Sequence, residues 1–126
     1  MVEKLEHYRD NLIARAEDYH DIKLVRIEGD VEPGMIRGVL PLLKGRFTDM
    51  KFAVVGATQW EGKPMISVFL SQPLVEAGLN AGQMIKSAAK HIQGGGGGQP
   101  QMATAGGRNA EGLQAAMEEM LSQLKI

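Results

Sequence analysis

The stretch Asn80-Ala-Gly-Gln-Met-Ile-Lys-Ser-Ala-Ala-Lys-His-Ile-Gln-Gly94-Gly-Gly-Gly-Gly-Gln-Pro-Gln-Met-Ala-Thr-Ala-Gly-Gly107 places a helix, a glycine run and a strand in direct succession. Asn80 is a good helix cap, and Gln83 three residues later completes a capping-box pattern. Ala81, Met84, Ile85, Ala88, Ala89 and Ile92 then form one apolar stripe at helical spacing, with Lys86 and Lys90 on the opposite face. The helix is expected to stop at Gly94. Residues 101–105 fit a short strand. Asn109 caps a last helix whose core side carries Leu113, Met117, Met120, Leu121 and Leu124.

The glycine run needs its own explanation. Eight of the 16 glycines lie between Gly94 and Gly112, and ordering five in a row costs much backbone entropy. A flexible linker would avoid that cost, but a strand and a capped helix follow at once. The remaining reasons are left-handed backbone, or a ligand that must approach the main chain where a β-carbon would clash. The run has no G-x-G-x-x-G register and follows a helix rather than a strand, so it is not a dinucleotide fingerprint. No Gly-Lys-Ser/Thr follows, so it is not a P-loop.

Upstream, residues 1–20 read as a helix with Leu5, Tyr8, Leu12, Ala16 and Tyr19 on one face. The segment through Asp21 carries three basic and six acidic residues. It begins without a cap, and we read it as the tail of a longer helix with Met1 as an added start. This divides the chain into residues 1–21, the end of a helical, coiled-coil-like subdomain, and residues 22–126, a globular glycine-rich domain. Ile22 to Glu28 reads as a strand and Gly29 to Gly34 as a turn. Pro33 suits the first turn of a helix carrying Met35, Ile36, Val39, Leu40 and Leu43. Gly38 and Pro41 make that helix short or kinked, since an interior proline costs about 3 kcal/mol. Phe52–Ala57 and Met65–Leu70 read as buried strands joined through Glu61-Gly62 as an antiparallel hairpin. The element order predicts an α/β (α+β) fold with a mixed sheet of about four strands and helices packed on it.

Composition bounds the rest. At 126 residues the chain has the length of about one domain, and 44% hydrophobic with 23% charged residues excludes a largely disordered one. No apolar run approaches the roughly 20 residues that span a bilayer, and no secretory signal is visible. With no cysteine, disulfide scaffolds and thiolate metal sites are excluded, and a cytoplasmic protein is expected. His7, His20 and His91 are too scattered for a metal motif. Ser67 and Ser71 lack a nearby His/Asp arrangement, Asp49 and Glu61 read as isolated turn residues, and Asp18, His20 and Asp21 as a polar helix end. Phe47, Phe52 and Phe69 read as core, and Trp60, in a turn, as core or hairpin packing.

The net charge of −1 excludes nucleic-acid binding by bulk positive charge. A local patch remains. From Ala77 to Ala110 there is no acidic residue, while Lys86, Lys90, His91 and Arg108 lie in that stretch. Carboxylates have been kept away from the glycine run, which leaves a positive field beside many backbone N–H donors, a seat for phosphates or a polyanion.

Asn80-Ala-Gly-Gln-Met-Ile, followed by the glycine run with Pro100, Met102, Ala103, Ala105, Gly106 and Gly107 in register, resembles the C-terminal domain of alanyl-tRNA synthetases. The resemblance is close from about Pro64 onward; before that only the order of elements fits. A related domain ends the DHH-type phosphoesterases, where a histidine usually follows the glycines. Gln99 stands there in this chain, which favours the synthetase. Gln99 and Gln101 also replace the basic residue and aspartate that flank the proline in many synthetases.

The resemblance implies a non-catalytic module that clamps the elbow of an alanine-specific tRNA and supports aminoacylation and editing. Gly94, Gly95, Gly96, Gly97, Gly98, Gly106, Gly107, Lys86, Lys90 and Arg108 are the expected contacts, and no residue is expected to be catalytic or metal-binding. ATP and zinc would belong to upstream domains of the parent ligase, with no cofactor in this segment. The other implied partners are those upstream domains and a homodimer, with no membrane role. Three alternatives stand beside it: a nucleotide- or single-strand-binding C-terminal domain of a DHH-type phosphoesterase, a freestanding hydrolase of mischarged tRNA, whose histidine and cysteine ligands this chain lacks, and a pure dimerisation module.

Overall fold

The computed structural model describes residues 2–43 and 50–124, without the side chains of Val2 and Glu3. The expectations for Phe47 and Asp49 lie outside the described residues.

Helix α1 (Val2–Ala14) leads into β1 (Glu17–Tyr19), β2 (Ile22–Asp30) and α2 (Pro33–Leu43). The hairpin β3 (Phe52–Trp60) and β4 (Lys63–Leu70) follows, then the short α3 (Gln72–Glu76) and α4 (Ala81–Ala88). A 3-10 turn over Ala89–Ile92 leads to β5 (Gly95–Gly98) and β6 (Met102–Gly106), and a second over Ala110–Gly112 to α5 (Leu113–Ser122). The strands form one sheet in the order β1-β2-β3-β4-β6-β5. Only the β2–β3 pair, joined across α2, is parallel; the other four are antiparallel.

Side-chain alternation sorts the strands into two cores. Ile22, Leu24, Ala53, Val55, Ala57, Ile66, Val68, Leu70, Ala103 and Ala105 face α4 and α5, where Met84, Ile85, Ile92, Met117 and Met120 close over them. Val25, Ile27, Phe52, Val54, Met65 and Phe69 face the other way, against Ile36, Val39, Leu40 and Leu43 of α2 and Leu12 of α1. Burial on both faces explains why β3 and β4 read as continuous apolar runs. Full burial of Leu12 ties α1 to this core, a contribution of roughly 1.5–3 kcal/mol.

The mixed sheet with packed helices is as expected, but it has six strands rather than about four. The additions are β1 and β5. Helix α1 ends at Ala14 instead of running to residue 20, because the chain turns back through His20 at φ 57 and pairs β1 with β2. Tyr19, which fits a helical stripe by spacing, instead packs on the α4–α5 core and donates its hydroxyl to the Leu121 carbonyl at 3.2 Å. The glycine run becomes strand β5 through pairing with β6, which overrides glycine's poor strand propensity.

Other local expectations hold. Glu61 and Gly62 both take positive φ, 51 and 79, and make the two-residue hairpin turn. The Asn80 side chain accepts a hydrogen bond from the Gln83 N–H at 3.1 Å. Asn109 accepts from the Glu111 N–H at 3.3 Å, capping the 3-10 turn that opens α5. Helix α2 contains Pro41 in its last turn and ends two residues later at Leu43, so it is short as expected; the proline removes one intrahelical N–H bond there. Gly38 fits because α1 crosses there: a β-carbon would lie 2.8 Å from the Leu5 side chain.

Candidate functional site

The glycine strand lies at the end of the sheet opposite β1, and all four of its residues are exposed. Its entry is set by Gln93, whose left-handed conformation (φ 52) ends the 3-10 turn, and by the Gly94 N–H donating to the Ala89 carbonyl at 2.9 Å. Its exit is a tight turn in which the Gln99 N–H donates to the Met102 carbonyl at 2.9 Å. The Ala81 N–H reaches the Pro100 carbonyl at 2.9 Å, and the Leu70 N–H reaches that of Gln101 at 2.7 Å. The turn is thereby tied to the start of α4 and the end of β4. Gln101 also donates from its side chain to Gln72, at 2.6 Å.

The five glycines do two different jobs. At Gly96 a β-carbon would stand 2.6 Å from the Thr104 carbonyl oxygen and 2.6 Å from the Ala105 β-carbon; at Gly98 it would stand 2.7 Å from the Met102 oxygen. Gly94 would likewise strike Gly106. The even positions are glycine because β5 lies too close to β6 for any side chain between them. Helix α4 presses from the same side, where a β-carbon on Gly82 would lie 2.8 Å from the Gly98 oxygen. At Gly95 and Gly97 a β-carbon would meet nothing within 4 Å, and neither has the positive φ that demands glycine.

Gly94, Gly95, Gly106, Gly107 and Arg108 line one cavity of about 510 Å³. Arg37 and Pro33 of α2 form its opposite wall, and Lys63, Pro64 and Met65 of β4 its floor. Among the described residues three basic side chains and no carboxylate line it. The Gly107 N–H is held by the Pro64 carbonyl at 3.2 Å, and the Arg108 N–H by that of Ile92 at 2.8 Å, so the backbone around Arg108 is fixed. Farther along the strand, Arg37, Leu40, Pro41, Gly97, Met102, Ala103 and Thr104 line a smaller cavity of about 230 Å³. Arg37 is shared by both.

Of the expected contacts, the structure brings Arg108 together with the glycines and sets Lys86 and Lys90 apart. Both lysines are exposed on α4 and the 3-10 turn and line neither cavity. Arg37 and Lys63 were not legible as site residues, because they lie 57 and 31 residues before Gly94 and belong to no motif. Among the described residues, Arg37, Lys63, Lys86, Lys90 and Arg108 have no ion-pair partner, while Lys23, Arg26 and Lys51, nearer the other sheet edge, pair with Asp18, Glu17 and Asp21. The chain thus spends carboxylates at one edge and leaves cations uncompensated at the other.

His91 is taken up structurally, with Nε2 on the Glu119 carboxylate at 2.8 Å, bridging the 3-10 turn to α5. Trp60 is partly exposed at the hairpin end and lines a surface pocket with Asp30 and Glu61, so it is not a core residue. Among the described residues no three His, Asp or Glu side chains converge as a metal site, and no helix is long and apolar enough to cross a membrane.

A family model described as the DHHA1 domain matches residues 20–125. The chain is 42% identical over 121 residues to an alanine–tRNA ligase of Bacteroides thetaiotaomicron, covering 96% of this chain. It is 33% identical over 124 residues to that of Porphyromonas gingivalis, covering 98% of this chain. The chain spans 14% of the length of each of these relatives. Among solved structures it is similar to the C-Ala domain of alanyl-tRNA synthetase from Aquifex aeolicus, with TM-score 0.71, 24% identity, and coverage of 87% of this chain and 97% of that one. It is also similar to a pGpG-specific phosphodiesterase from Vibrio, with TM-score 0.55, 13% identity, and coverage of 97% and 39%. At these identities the structural likenesses show the fold.

Proposed function

Since the DHHA1 domain match spans residues 20–125, the chain belongs to the DHHA1 domain family, and from that premise we propose that it is the tRNA-binding C-terminal module of an alanine–tRNA ligase. The observation that carries this reading is the exposed glycine strand bordered by a cavity that, among the described residues, is lined by three basic side chains and no carboxylate. In this reading the module contacts the tRNA elbow and holds one tRNA for both aminoacylation and editing by upstream domains. Helix α1 is the end of a helical subdomain that connects to them. The setting is the cytoplasm, where translation takes place.

The physics supports such a role. Structured RNA is recognised by shape, stacking and backbone contacts rather than by base edges in a deep groove. A strand without side chains presents a flat peptide surface that a nucleic-acid surface can approach closely. The backbone around Arg108 is fixed beside it, while Lys86 and Lys90, exposed on α4 and the 3-10 turn, add cations on the same side of the charge balance. Each phosphate neutralised releases counterions and steepens the salt dependence by about 0.9.

The test is binding of intact alanine tRNA and of a minihelix of the acceptor and T stems that lacks the elbow, at low and moderate salt. Preference for intact tRNA is expected. Equal affinity for the two would reduce the reading to generic phosphate attraction, and no binding to either would refute it for this segment.

A further inference from the structure

We propose that the two cavities on the α2 side of the glycine strand form one continuous seat for the sugar–phosphate backbone of an RNA segment, with Arg37 at its centre and Lys63 and Arg108 at one end. The proposal rests on the tRNA-binding reading and goes beyond it. It names the face of the sheet that carries the RNA and two residues that belong to no motif.

Arg37 from α2, Lys63 from the start of β4 and Arg108 after β6 come from three separate elements and converge on one cavity. Like charges gathered in a cleft repel, and a chain with 15 acidic residues could have offset them, yet among the described residues no carboxylate lines either cavity. Among the described residues none of the three has an ion-pair partner. A polyanion supplies the missing compensation.

The even glycines are explained by β6, but among the described residues nothing stands within 4 Å of a β-carbon at Gly95 or Gly97. Each lines one of the two cavities. Glycine in a strand costs roughly 0.5–1 kcal/mol against alanine, so two unforced glycines on one face mark where an external molecule lies against the main chain. They stand about 6.7 Å apart by strand rise, and Arg37 borders both cavities. One phosphate would fill only one position; a running backbone fills both.

An extended peptide adding to the free edge of β5 would bond in the plane of the sheet, where side chains on either face do not obstruct it. Missing β-carbons on the α2 face are of no use to such a partner. They serve a ligand that comes down on the face, so an RNA is favoured over an acidic peptide.

The test uses the full chain and intact alanine tRNA, with affinity read by fluorescence anisotropy across a salt series and folding read by thermal unfolding. Arg37→Ala and Gly97→Val are each expected to weaken binding about tenfold or more with no loss of folded state. Arg37→Ala should also reduce the salt slope by about one. Lys23→Ala, the same charge change on β2 beyond β3, β4 and β6, should leave affinity within about twofold. If Arg37→Ala and Gly97→Val bind as the unaltered chain does, the seat is wrong and the tRNA reading stands. If the unaltered chain binds no tRNA, both fall. If polyglutamate displaces the tRNA as well as a second RNA does, the assignment to RNA is overturned. If inorganic phosphate at millimolar concentration does so, the site takes single phosphates and the continuous seat is overturned.

Discussion

Adding one methyl group at neighbouring positions of the glycine strand should have opposite consequences. In Gly96→Ala the new β-carbon lands 2.6 Å from both the Thr104 oxygen and the Ala105 β-carbon, about 0.8 Å or more inside ordinary contact. Those neighbours are backbone and the first side-chain atom of a paired strand, so neither can swing away. Overpacking of this kind costs about 1–3 kcal/mol. In Gly97→Ala the methyl enters open space at a backbone angle alanine accepts. The loss of freedom in the unfolded chain then stabilises by about 0.4–1 kcal/mol. That unfolded-state gain is common to both variants and cancels in their difference, which isolates the steric cost of 1–3 kcal/mol. Urea unfolding checks this through the midpoints, provided the slopes agree, since a changed slope would signal an altered denatured state. Gly97→Ala should unfold at or above the midpoint of the unaltered chain, and Gly96→Ala clearly below it. Equal destabilisation by both would refute the division of labour among the glycines. The spatial argument for an external ligand would go with it.

Two further outcomes test other parts of the structure. Asn80→Ala removes the acceptor of the Gln83 N–H and should lower stability by about 1 kcal/mol, seen as a lower urea midpoint at unchanged slope. Tyr8, half-buried between α1 and the α2 core, has its phenol raised above the ordinary value by burial, opposed in part by the nearby Arg15 charge. A raised folded-state value means the native chain holds this proton more tightly than the unfolded chain. Its stabilisation is therefore complete below about pH 10 and is lost as pH rises through the folded-state value. Urea midpoints of the unaltered chain should fall above pH 10, and Tyr8→Phe should fall less; identical profiles would remove Tyr8 from the account.

Much of the fold was legible because it depends on neighbours in sequence. Asn80 with Gln83, Asn109, and Glu61-Gly62 act over two or three residues, and the α4 and α5 stripes follow from helical period alone. Tyr19 shows where this fails. Its spacing from Leu12 and Ala16 suits a helix, but a strand partner in β2 and a hydroxyl acceptor at Leu121 were worth more than another helical turn. Such contacts span up to 102 residues, and local pattern carries no record of them.

The glycine segment divides in the same way. From the residues alone it followed that the run departs from ordinary composition, that no acidic residue stands between Ala77 and Ala110, and that the chain resembles a known domain. The sequence could not separate Gly96 from Gly97, which are the same residue one step apart. Only pairing with β6 turns one toward a neighbouring backbone and the other toward open space. Nor could it bring Arg37 and Lys63 to Arg108 while setting Lys86 and Lys90 aside. Composition and short-range spacing are properties of the chain as written, whereas convergence of charge depends on which faces a sheet presents once its strands have found their order.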